Sequence, residues 1–348
     1  MMKSKGRILM APRPGNWGGP SISLLRLKNA LHTEGYRVSS LFFRLTGKQF
    51  LNFDFSIMMG VPVYSNKILC SNRPTILIMG KPEDPNESNA TERVYSFVDE
   101  LENEERAIAI EKSQYVTFIS NYVKDIWIKW FAERSRKFPD IGMYEVIYHG
   151  LDLDHFKPIT RIKKNEIFTI GCVGALRTPV RVNAILEVSR RLPFRHQFLI
   201  VGSTTPLCQK ILNEYIQNPE LNILIKRVEW VKAEQLPIYL RMMDCLLHPV
   251  DHEGFGIAMS EAMACGVPII APNHGAAAEI IMGGGVVANV EQFKYDNYFY
   301  DELANGIILV KENLASYSYQ ARITAEKLFD IKKIARRYIE IGDSLLNK

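Results

Sequence analysis

Residues 245–271 constrain the fold of this chain more tightly than any other stretch. Cys245-Leu246-Leu247 is apolar and runs into His248-Pro249, which reads as a buried strand with a stop. Glu253-Gly254-Phe255-Gly256 reads as a tight loop, and Ile257 to Ala264 as a run of small and straight-chain helix formers. A second turn, Cys265-Gly266-Val267-Pro268, leads into apolar Ile269-Ile270-Ala271. Strand, loop, helix and strand in that order make a βαβ unit, and such a unit needs a parallel sheet.

The same segment has the chemistry of a binding site. Gly254 and Gly256 allow a ligand close approach to the main chain. A helix starting near Ile257 leaves the amides of Ile257 and Ala258 without internal partners, and a helix start of this kind attracts phosphate. Glu253 precedes the helix, and Glu261 lies about 6 Å along its axis. A ligand lying across the helix start could offer its diphosphate to the amides and its sugar hydroxyls to both carboxylates. The plainer reading is an ordinary βα unit whose two acids merely favour the helix N-terminus.

The segment resembles the Glu-x7-Glu motif of the retaining glycosyltransferases of family 4, with Pro249-Val250 before it and Gly275 to Ile281 after it matching the flanking family pattern. That resemblance implies a GT-B fold of class α/β: two Rossmann-like domains facing each other across a cleft. It implies a nucleoside diphosphate sugar as donor and a glycan, lipid-linked or small-molecule acceptor. No metal and no separate cofactor are implied. By resemblance, Glu253 and the backbone of Gly254, Phe255 and Gly256 hold the donor sugar, Ile257 and Ala258 face the diphosphate, and Glu261 takes the ribose hydroxyls.

Elsewhere short apolar runs alternate with helical patterns, which favours parallel sheets covered on both faces. Strands are expected at 7–11, 36–43, 56–59, 75–79, 116–119 and 144–148, and then at 168–173, 197–201, 222–225, 244–247, 268–271 and 286–287. Residues 149–166 read as an interdomain linker. Gly150, Asp152, Phe156 and Pro158 fit the family's junction segment, with His149 in place of its Asn. The expected division is an acceptor-side domain over 1–155, a nucleotide-sugar domain over 156–330, and a helical tail over 331–348 that crosses back to the first domain by resemblance.

Three further features bear on the site. The loop holding Gly15, Asn16, Trp17, Gly18 and Gly19 follows the first strand, and by resemblance Gly18 and Gly19 approach the donor phosphates. Where the family has an Arg after the glycine of the seventh strand, this chain has Ala175. Arg181 falls at the place of the family's diphosphate-binding Lys, and Arg177 is a second candidate, since a guanidinium can hold a diphosphate bidentately. The family's His in the first domain has no counterpart in Gly80-Lys81-Pro82-Glu83. These departures carry an alternative reading: a weak or inactive GT-B protein that binds nucleotide or glycan as a partner subunit.

Composition limits the remaining classes. A chain of 348 residues, 47% hydrophobic and 23% charged, has the balance of a globular protein with two ordinary domains. No apolar run approaches the ~20 residues of a membrane span. The five cysteines are widely spaced, which argues for reduced thiols, no zinc site and a cytoplasmic protein. A net charge of +5 suits an anionic ligand, and no basic block interleaved with aromatics points to nucleic acid. Tyr122 to Phe138 is amphipathic and basic, with Trp127, Trp130 and Phe131. It reads either as an interfacial helix for peripheral contact with anionic lipid or as a domain helix facing its own core.

Overall fold

The computed structural model describes residues 5–11, 18–40, 53–60, 68–71, 73–82, 97–159, 167–217, 224–290 and 294–348. The expectations for Gly15, Asn16, Trp17, Glu83, the basic stretch 160–166 and the strand ends at 41–43 and 222–223 fall outside these residues. Two compact units are present. Described residues up to Asp152 together with Phe329–Lys348 form the first, and Leu153–Leu328 the second.

The first unit is built on six parallel strands: β1 (Arg7–Ala11), β2 (Arg37–Ser40), β3 (Phe55–Met59), β4 (Thr75–Met79), β5 (Tyr115–Phe118) and β6 (Tyr144–Val146), in the order β2-β1-β3-β4-β5-β6. Every residue of β4 is buried, as expected of a central strand covered on both faces. Successive side chains alternate between two cores. Ile8, Ile57 and Ile76 meet Leu24 and Leu31 from the helix Gly18–Thr33 and Ile334, Tyr338 and Ile341 from the helix Ile331–Leu346. Leu9, Met58 and Leu77 meet Ala107 and Ile110 from the helix Phe97–Lys112 and Val123, Trp127 and Phe131 from the helix Asn121–Glu133.

The C-terminal helix is thus part of the first unit. The Tyr338 hydroxyl lies 3.1 Å from Thr117 Oγ1 in the buried face of the sheet. Arg337 pairs with Glu145 and Arg336 with Glu34 at the rim. Leu151 donates its amide to the Phe329 carbonyl at 2.7 Å and accepts from the Ile331 amide at 3.1 Å, which ties the entry of this helix to the end of the sheet.

The helix Asn121–Glu133 answers the question its pattern raised. Trp127 and Phe131 are fully buried, and Trp127 Nε1 donates to the Gly80 carbonyl at 2.8 Å. The Arg134 guanidinium lies 4.0 Å from the Trp130 ring centre and pairs with Glu100, while Arg136 pairs with Glu104 and Glu111. Its aromatic face fills its own core and its basic end meets an acidic helix, so those aromatics are not available to lipid. Ser120 caps this helix by accepting from the Val123 amide at 3.1 Å. Ser120→Ala should lower stability by about 1 kcal/mol in urea unfolding, because a buried amide loses its acceptor.

The second unit has the parallel order β9-β8-β7-β10-β11-β12, from β7 (Phe168–Val173), β8 (His196–Val201), β9 (Leu224–Val228), β10 (Cys245–Leu247), β11 (Ile269–Pro272) and β12 (Gly285–Ala288). Chain order reverses between β7 and β10. In open α/β sheets a crevice opens beyond the strand C-termini at such a reversal, and ligands bind there. At the opposite end Asp244 locks the same two strands, accepting from the Thr169 amide at 2.8 Å. The part of the expected linker within this unit is pinned: Arg322 donates to the carbonyls of Phe156 and Ala264 at 2.8 and 2.7 Å, and Arg241 to those of His155 and Lys157. All five cysteines are free thiols, four of them buried. Among the described residues no helix is long and apolar enough to cross a membrane.

Candidate active site

The reversal between β7 and β10 brings a few charged groups of the second unit near one another. Beyond the two strands lies a pocket lined by Gly174, Ala175 and Leu176 on one side, His248 and Pro249 on the other, and Arg181 from the first turn of the helix Pro179–Arg191. The chain leaves β10 through His248, whose amide still pairs with the Ile270 carbonyl at 2.8 Å, and turns into the loop Asp251–Gly256.

Glu253 is the centre of this loop. One carboxylate oxygen lies 3.2 Å from His248 Nε2, and the other accepts weakly from the Phe255 amide at 3.5 Å. Burial works against the charged form. The bond and charge of His248, the Phe255 amide and the positive charge of Arg181 together outweigh it, and the carboxyl comes down to about 2. The group is therefore an anion across the physiological range, held ready to accept hydrogen bonds.

The loop is fixed by its neighbour. Gly275, at φ +69°, follows β11 and passes so close that a Cβ there would meet both the amide nitrogen and the carbonyl oxygen of Glu253 at 2.5 Å. The Ala276 amide donates to that same carbonyl at 2.8 Å. Only a glycine can take this backbone shape and leave this gap.

Gly256, at φ +80°, is the N-cap of the helix Ile257–Ala264 and supplies no side-chain acceptor. The first amides of that helix, from Ile257 and Ala258, are thus left for an external acceptor or solvent. Phe255 anchors the turn with its ring buried. Gly254 sits between Glu253 and Phe255, partly exposed. Glu261 lies in the second turn, 5% exposed, and its carbonyl accepts from the Cys265 amide at 3.2 Å. Its charge, after burial and the opposing pull of Arg241, helps hold the Cys265 thiol up at about 12. The two acids therefore have different surroundings: Glu253 is paired and partly open, whereas Glu261 is buried in the body of the unit.

The structure brings Arg181, His248 and Glu253 together. Arg177 is exposed and does not line the pocket. Gly18 and Gly19 open the first helix of the first unit. Three neighbours of these groups escape a reading by local spacing. His248 is the partner of Glu253. Tyr295, raised to about 12 by burial, feels the opposing charges of Arg181 and Asp251. Asp251 in turn meets His252 and His274. The one signal that could have found His248 is its place at the end of β10, five residues before Glu253.

Comparison with known proteins agrees with this geometry. Residues 154–326 match the family model described as glycosyl transferases group 1. The chain is 27% identical over 216 residues to the lipopolysaccharide core biosynthesis mannosyltransferase LpsB of Rhizobium meliloti, covering 58% of this chain and 61% of that one. It is 28% identical over 188 residues to the GDP-mannose-dependent alpha-(1-6)-phosphatidylinositol monomannoside mannosyltransferase of Mycolicibacterium smegmatis, covering 49% and 47%. The match thus spans about half to three fifths of these curated relatives. Among solved structures, sucrose-phosphate synthase of Thermosynechococcus elongatus superposes with a TM-score of 0.75 at 17% identity, covering 99% of this chain and 100% of that one. HepE of Anabaena, in complex with UDP and glucose, superposes with a TM-score of 0.67 at 17% identity, covering 97% and 100%. Residues 154–326 thus match the glycosyl transferases group 1 family, and the chain carries the GT-B fold.

Proposed function

We propose that the protein is a glycosyltransferase that moves a sugar from a nucleoside diphosphate sugar to a glycan, lipid-linked or small-molecule acceptor, with retention at the anomeric carbon and without a catalytic metal. The observation that carries this reading is the convergence of Arg181, His248 and Glu253 beside an uncapped helix start at the reversal of the second sheet. The match of residues 154–326 to the glycosyl transferases group 1 family and the activities of the two mannosyltransferase relatives support the reaction class.

In this reading the bond from the anomeric carbon to the phosphate oxygen breaks as the bond to the acceptor oxygen forms on the same face. The acceptor's proton passes to the departing phosphate. Charge grows on the diphosphate, where Arg181 and the amides of Ile257 and Ala258 stabilise it without a metal ion. Glu253, with the backbone of Gly254 to Gly256, accepts from hydroxyls of the donor sugar. Its anionic charge also suits the positive charge that develops on that sugar. Glu261 accepts from the ribose hydroxyls, and its burial makes that bond costly to lose.

A thermal-shift screen with nucleoside diphosphates and their sugars tests the donor class. A true donor at 100 times its Kd should stabilise the protein by about 2.7 kcal/mol. No shift with any nucleotide, together with no nucleotide release in a transfer assay, would overturn the proposal. Within it, Glu261→Ala should weaken donor binding by roughly 10- to 100-fold, the worth of a hydrogen bond to a charged group. Turnover at saturating donor should change little, and calorimetric titration beside steady-state kinetics separates the two effects.

A further inference from the structure

Beside the donor pocket the second unit holds a cluster that the transfer chemistry does not use. His252 Nε2 lies 3.3 Å and His274 Nδ1 3.2 Å from the same oxygen, Oδ1 of Asp251. One ligating atom from each of the three residues falls within 4.8 Å of the other two. In a tetrahedral zinc site with metal–nitrogen bonds of 2.0–2.1 Å, neighbouring ligand atoms stand about 3.3 Å apart. The two separations already match that edge.

The cluster is also held in place. The side chains are only 16–30% exposed. His252 sits at φ +49°, a conformation that a non-glycine residue adopts at a cost. Gly275, next to His274, packs its backbone against that of His252 and Glu253. The two histidines come from loops after adjacent strands, β10 and β11, so the sheet sets their spacing. The imidazole rings meet edge to face with centres 5.9 Å apart.

We propose that Asp251, His252 and His274 form a binding site for one late first-row divalent cation, of the zinc or cobalt class. Two imidazoles and a carboxylate are the donor set such ions prefer, and three protein ligands leave the coordination open to water. The positive charge for transfer comes from Arg181 and main-chain amides in the reading above, so this cation is a clamp. It ties the loop bearing Glu253 to the loop after β11. The site does not depend on that reading, because its test uses metal alone.

The experiment is titration of chelator-treated protein with Co2+, followed by its visible absorption and by calorimetry. The expected result is one Co2+ per chain at micromolar affinity, displaced by Zn2+, with the intense d–d bands of low coordination. His274→Ala and Asp251→Asn should each weaken binding by at least about tenfold, since even an outer-shell partner commonly contributes that much. Circular dichroism and the unfolding midpoint of each variant confirm that it is folded, and His274→Gln replaces a variant that is not. Binding weaker than millimolar, or binding unchanged in both folded variants, overturns the site. Thermal shifts with nucleotides on the same metal-free protein report on the donor pocket separately.

Discussion

Glu253→Gln is expected to cut transfer turnover by roughly 10- to 100-fold while leaving the fold intact. The size follows from about 1.5–3 kcal/mol for a hydrogen bond to a charged acceptor. Glutamine keeps the shape of the side chain but not its charge, so the loss reports on the anion rather than on packing. A stability signature accompanies it. The carboxyl falls from 4.5 to about 2 in the folded protein. A lowered carboxyl contributes stability that is complete above its unfolded value and is lost as the pH drops through the folded value. Here that contribution is on the order of 3 kcal/mol. Wild type should therefore lose stability relative to Glu253→Gln as the pH falls from 4.5 toward 2, and the two should converge there. Urea unfolding of both proteins between pH 7 and pH 3 measures the difference. Parallel curves over that range would mean that Glu253 is not held as an anion by His248 and Arg181.

Much of this arrangement is legible in the sequence because it is local. β4 stands out because five consecutive apolar or β-branched residues, Thr75 to Met79, suit only a strand buried on both faces. The segment from Glu253 to Glu261 stands out because glycines, a helix start and two acids occur at fixed spacing. The partners of Glu253 are not local in that sense. Arg181 reaches the site from the helix after β7, 72 positions before Glu253, only because the sheet order sets β7 beside β10. The pairing of Asp251 with His274 depends on β10 lying next to β11. Spacing along the chain carries no record of which strands become neighbours.

The helix Asn121–Glu133 shows a second limit. An amphipathic pattern gives the apolar face but not what that face meets. Lipid and a domain core present the same chemistry to Trp127 and Phe131. The choice is made by the sheet, which offers Leu77 and Phe118 to that face, and by Glu100, Glu104 and Glu111, which meet the basic end. None of those partners is adjacent in sequence.

Gly275→Ala is expected to cost well over what the same methyl group costs at Gly283, and the comparison of the two shows why. Both glycines have positive φ, +69° and +88°, so alanine at either pays about 1–2 kcal/mol for the left-handed backbone. At Gly283 nothing lies within 4 Å of the new Cβ, and the cost ends there. At Gly275 the Cβ meets the main chain of Glu253 at 2.5 Å, and main-chain atoms cannot swing aside as a flexible side chain can. Overpacking of this kind adds about 1–3 kcal/mol, so Gly275→Ala should cost about 2–5 kcal/mol in all. The loop can relieve the clash only by moving Glu253 away from Ala276, whose amide now holds its carbonyl at 2.8 Å. That movement also carries the carboxylate away from His248. Gly275→Ala should therefore lose transfer activity even under conditions where it is fully folded, whereas Gly283→Ala should remain active. Unfolding midpoints and turnover measured on the pair distinguish backbone strain from displacement of the site. Equal losses in the two variants would show that the Gly275 contact does not position Glu253.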